Sequence, residues 1–175
     1  MKSLSVALAA ILLVAAAPAE KRLKWKPFSS KDGRYKVLLP GTPKSRELAS
    51  DGEFGTSVAH MNTVTVGETV YTVSHTDFGD GVKKLSPKDV YDATRDRMVE
   101  RMNGKVFGET DVSLDDHPGR ETRIEIGTDD GYRMFLRYRV FLVGSRLYQF
   151  SVGGTRKEAT SKNADKFFKS FALTE

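Results

Sequence analysis

The chain contains no cysteine, so disulfides, cysteine-held metals, thiol catalysis and a lipid-modified N-terminal cysteine are all excluded. It also lacks Gly-x-Ser-x-Gly, His-Glu-x-x-His and any glycine-rich phosphate loop ahead of a helix. No serine has an obvious histidine and acid to activate it. These absences argue against an enzyme. After Ala17 no apolar run is long enough to cross a bilayer. No segment repeats and none is of low complexity. A net charge of +5 over 175 residues is too mild for a dedicated nucleic-acid binder. What remains is ordinary globular composition: 39% hydrophobic and 29% charged, enough apolar surface to offset the ordering entropy of one domain.

The N-terminus differs from the rest. Lys2 precedes an uncharged stretch from Leu4 to Ala17, and Ala17-Pro18-Ala19 supplies a small-x-small site. This is the layout of a signal peptide cut between Ala19 and Glu20. The expectation is a leader over 1–19 and one globular domain over 20–175. That mature chain would carry no membrane span and be exported to the periplasm or secreted. The basic run Lys21 to Lys26 contains Trp25. It can touch anionic lipid, or serve as a solvated lead-in whose Trp25 folds back onto the domain.

Alternation and turn chemistry predict a largely antiparallel strand protein. Arg34 to Leu39 reads as a strand stopped by Pro40-Gly41-Thr42-Pro43, and Lys44 to Ala49 as another. Thr56–Val66 and Thr69–Asp77 form a hairpin around Gly67-Glu68, in a register that sets His60 opposite His75. Ser86 caps a helix that begins at Pro87 and ends at Asn103-Gly104. Gly119–Gly127, Tyr132–Val143 and Leu147–Gly153 read as three strands. Keeping apolar residues on one face pairs Ile124 with Leu136, and by the same reasoning Val140 with Phe150 and Tyr138 with Val152. Thr155 and Glu158 make a capping box for a last helix carrying Phe167, Phe168 and Phe171. The fold class is α+β: an antiparallel sheet of about five to seven strands sandwiched by helices.

Three constellations could carry function. His60 and His75, with Asp77 on the same face, have the spacing of a divalent-metal site, or are partly exposed polar residues near a hairpin end. Asp115-Asp116-His117 and Asp129-Asp130-Gly131 suit turns. The odd positions of the central strand read Arg133, Phe135, Arg137, Arg139 and Phe141, with Arg123 opposite Arg137 and Glu121 opposite Arg139. This face is either a recognition surface or a charge ladder partly covered by the C-terminal helix.

Two segments resemble a known group. Phe28 to Pro43 has an aromatic, a turn and a strand ending in Pro-Gly-x-Pro. Arg146 to Val152 followed by Phe167-Phe168-Lys169-Ser170-Phe171 is a strand and then a helix ending in Phe-x-x-Ser-Phe. Both resemble the PsbP-like and DcrB-like exported domains. That resemblance implies a sheet between helices and, for most members, a non-catalytic role. Those members include photosystem extrinsic subunits, a Ran-binding nuclear protein and envelope proteins. The group has no catalytic motif to carry over, and nothing here resembles the thylakoid targeting of its plant members. The expectation is a monomeric, exported binding or accessory protein with an envelope protein as partner and no cofactor. The alternative is a metal-binding periplasmic protein using the histidine pair.

Overall fold

The computed structural model describes residues 23–52, 55–127 and 131–175. The expected leader, its cleavage site, and Asp129 and Asp130 lie outside the described residues. In chain order the elements are β1 (Lys26–Ser30), β2 (Tyr35–Leu39), β3 (Lys44–Gly52), β4 (Gly55–Val66) and β5 (Thr69–Asp77). Then come α1 (Pro87–Met102), β6 (Gly104–Leu114), β7 (His117–Gly127), β8 (Arg133–Val143) and β9 (Arg146–Gly154). The chain closes with α2 (Arg156–Ala159), α3 (Lys162–Ser170) and β10 (Ala172–Leu173). Seven strands form one sheet in the order β3-β4-β5-β9-β8-β7-β6, and β1, β2 and β10 form a second, smaller one. Every pairing in both sheets is antiparallel. The α+β class holds.

Both faces of the centre of the large sheet are buried, each against a different cover. On one face Ile124, Leu136, Tyr138 and Val140 pack against Val90 and Tyr91 of α1. On the other, Tyr71, Val73, Phe141, Phe150 and Val152 pack against Phe167, Phe168 and Phe171 and against Tyr35, Val37 and Leu39 of β2. The second cover is thus half helix and half small sheet. The small sheet was not expected, because β1 and the two-residue β10 are too short to show alternation. Trp25 folds back onto this core, edge-on to Tyr71 at 5.8 Å with the Lys166 ammonium 5.0 Å from its ring.

The hairpin registers show where sequence reasoning worked. His60 pairs with His75 and Ile124 with Leu136, as the patterns require. The β8–β9 register differs by one residue from expectation: Val140 pairs with Gln149 and Tyr138 with Ser151. Gly144, at φ 63°, allows a two-residue turn that closes Val143 on Arg146. The expectation assumed one apolar face. Here Val140 points to the α1 core and Phe150 to the α3 core, so aligning them was the wrong constraint.

Capping chemistry matches the sequence in outline. Ser86 accepts from the Asp89 N–H and begins α1. The left-handed residue after α1 is Asn103, at φ 46°, and not Gly104. Gly104 already belongs to β6, where a Cβ would come 2.5 Å from Ile124 Cγ2. Its role is close approach and not turning. Asp115, at φ 50°, makes the tight turn that pairs Leu114 with His117. The Thr155–Glu158 capping box is present, but the last helix is two: α2 stops at Ala159 and Ser161 caps α3 afresh.

Candidate binding surface

The odd-numbered face of β8 divides into a covered half and an open half. In the covered half Glu121, only 3% exposed, receives three guanidinium groups. Its Oε1 lies 2.9 Å from Arg137 Nε and 3.2 Å from Arg123 Nη2, and its Oε2 lies 2.8 Å from Arg139 Nε. Burial pushes the Glu121 carboxyl up, but Arg137 and Arg139 outweigh it and hold the group below the ordinary carboxylate range. The two arginines that sequence alone places in repulsive contact are thereby bridged through one acid. Above them, α3 lays Phe168 between the guanidinium groups, 4.7 Å from Arg137 and 4.9 Å from Arg139. Asp165, one turn before Phe168, accepts from Arg137 Nη1 at 2.8 Å.

This corrects the expected recognition surface. Phe141 is 1% exposed and stacks on Phe150 at 5.7 Å, so it belongs to the core. Arg137 and Arg139 serve the docking of α3. Of the expected set Arg133 is exposed, and Arg123 and Phe135, both half-buried, lie beyond the reach of α3.

The open half gains two residues that the sequence did not reveal. A register shift between Val106 and Gly108 leaves Phe107 as the extra residue of a β-bulge, which re-aims its side chain. Phe107 is 41% exposed, and its ring meets Phe135 edge-on at 5.8 Å. Arg156, the first residue of α2, places its guanidinium 5.2 Å from the Phe107 ring and 5.1 Å from Phe135. Around these rings stand exposed Lys105, Arg123 paired to Glu121, and Arg133 paired to Glu125. No strand was read over residues 104–114, so the bulge had no frame in which to be seen. The Val-Phe-Gly step at 106–108 is the only signal, and it is faint.

The histidines meet as expected, but as they are placed here they do not converge on a shared metal position. His60 and His75 stack face to face, with centroids 4.8 Å apart and planes 12° from parallel. A shared metal must lie in the plane of both rings near their nitrogens, and near-parallel stacked rings do not offer that point. The third expected ligand is taken: Arg146 clamps Asp77 with two N–H···O bonds of 2.6 and 2.7 Å. Among the described residues no group of three His, Asp or Glu is arranged to hold a metal. His60 instead sits 3.2 Å from Glu47. His75 is 3% exposed, and burial, then Arg146 and His60, push its pKa below the ordinary value against the pull of Asp77 and Asp32. An open cleft of about 400 Å³ beside the fork includes Arg34, Tyr148 and Thr174. Its Asp77 and Arg146 satisfy each other, and Tyr148 donates to the Gly33 carbonyl at 2.8 Å.

With this geometry in place, comparison identifies the architecture. The solution structure of cyanobacterial PsbP (CyanoP) from Synechocystis sp. PCC 6803 superposes with a TM-score of 0.61. The match covers 91% of this chain and 98% of that one, at 10% identity. The fold is PsbP-like. Identity this low speaks for the PsbP-like fold alone. LpqN of Mycobacterium tuberculosis, involved in cell envelope biogenesis, matches at a TM-score of 0.47 and 11% identity, over 87% of this chain and 91% of that one. A protein of unknown function from Pseudomonas aeruginosa matches at 0.39 and 10% identity, over 77% and 85%. Both likenesses are too loose to carry anything about this chain. No family profile and no curated protein sequence matches it. No helix among the described residues is long and apolar enough to cross a membrane.

Proposed function

We propose that the protein is a non-catalytic binding or accessory protein of the cell envelope, exported by its leader and engaging a protein partner through the open half of the arginine face. One observation carries this reading. Exposed Phe107 and half-buried Phe135 form an aromatic pair at the surface, joined by the Arg156 guanidinium and flanked by cations. Exposed aromatic and arginine side chains in contact are the composition of binding hot spots. The buried ionisable groups have structural work instead: Glu121 bridges arginines, and His75 is stacked and sealed. The signal-peptide layout of residues 1–19 supports the envelope setting.

The test is a photo-crosslinking residue at position 107 of the full chain in its source cells. A discrete crosslinked protein in the envelope fraction is expected, with no such product from position 58 on the distant β4 strand. Equal crosslinking from both positions, or a protein retained in the cytoplasm, would refute the reading.

A further inference from the structure

Resting on that reading, we infer that the partner presents an acidic segment in which an aromatic side chain follows an acid by one helical turn. The molecule contains its own precedent. On the covered half, α3 docks by giving Asp165 to Arg137 and Phe168 to the faces of Arg137 and Arg139, an acid and an aromatic at i and i+3. The open half continues the same sheet face and repeats the receiving chemistry. Arg133 lies two strand positions from Phe135 and four from Arg137, so the arginine–aromatic pattern runs unbroken along β8.

Arg156 is the acceptor of the acid. Its guanidinium carbon lies 5.2 Å from the Phe107 centroid and 5.1 Å from that of Phe135, and the exposed side chain has no carboxylate partner among the described residues. A guanidinium beside aromatic rings and without a carboxylate partner keeps N–H groups to donate to a bidentate carboxylate. Stacking also removes rotamer freedom before binding, which reduces the entropy to be lost later. Exposed Phe107 then offers its ring to an incoming aromatic in the edge-to-face geometry that it already makes with Phe135. The surrounding charge agrees: among the described residues Lys105, Arg123, Arg133 and Arg156 stand beside Glu125 on this face. A lipid surface is the poorer fit, because Phe135 is half-buried against Phe107 and Arg156 and does not project as a membrane wedge.

The test uses the exported chain and an alanine-rich helical peptide carrying Asp and Phe three residues apart, followed by fluorescence anisotropy. Saturable binding is expected. Reversing the peptide Asp to Lys, and the separate protein substitutions R156E and F107A, should each weaken it by about tenfold or more. Both protein positions are exposed, and unchanged melting by circular dichroism shows that each variant folds. Equal affinity for the Asp and Lys peptides would overturn the inference. So would Phe107-dependent binding to phosphatidylglycerol vesicles with no peptide binding. If a partner crosslinks from position 107 yet the Asp–Phe peptide never competes with it, the binding role stands and this assignment of its chemistry falls.

Discussion

Glu121→Gln tests the energetic core of this face. The substitution keeps the size of the side chain and removes the negative charge on which Arg123, Arg137 and Arg139 converge. The three do not suffer equally. Arg123 has 43% of its side chain exposed and turns to water at little cost. Arg137 keeps Asp165 at 2.8 Å. Arg139, with 20% of its side chain exposed, loses its anion and keeps only Phe168. Removing one partner of a buried ion pair costs about 3–5 kcal/mol. Because Arg137 retains an acid, the lower end applies, so about 3 kcal/mol is expected. For a domain of this size that lowers the melting temperature by roughly 6–12 °C. Urea titration followed by far-ultraviolet circular dichroism reads the free energy directly. Arg139→Met, which leaves Glu121 with two cations, should cost clearly less. A loss below about 1 kcal/mol for E121Q, or an R139M loss as large, would refute Glu121 as the hub.

Three further outcomes follow from the same geometry. His75 has its pKa depressed below 6.5, so the unfolded chain takes up the proton first and stability should fall as pH drops below about 6.5. His75→Phe should flatten the melting-temperature profile there, while the decline from Glu121, whose folded pKa lies below 4.5, remains at more acid pH. A variant with an undiminished slope between pH 5 and 6.5 would assign the titration to another group. Phe150→Ala, at the centre of rings from Phe141, Phe167, Phe168 and Phe171, should cost about 3–5 kcal/mol in urea unfolding. Gly104→Ala should cost about 1–3 kcal/mol by the same assay, because the new Cβ meets Ile124 at 2.5 Å. A neutral result there would mean that β6 shifts freely against β7.

Hairpin pairings were legible wherever a turn signal and a face constraint agreed. His60 opposite His75 and Arg123 opposite Arg137 both come from alternation on either side of a short loop. The same reasoning failed at β8–β9, because both faces there are covered, and Val140 and Phe150, which it aligned, belong to opposite cores. Chemistry was harder to read than pairing. Register can say that two imidazoles meet, but side-chain packing decides whether they stack or converge on a metal.

Local sequence determined the types of β2 to β5, α1 and β7 to β9, the caps at Ser86 and Thr155, the turn at Asp115 and the run of arginines along one face of β8. These follow from periodicity and backbone preference within a few residues. Only the tertiary structure decided what that arginine face is for. Where α3 lies across it, Asp165 and Phe168 turn Arg137 and Arg139 into structural ties. Where α3 stops short, a bulge 28 residues upstream in the chain and a helix start 21 residues downstream bring Phe107 and Arg156 to Phe135. Such contacts are set by the packing of distant segments, and no local pattern records them.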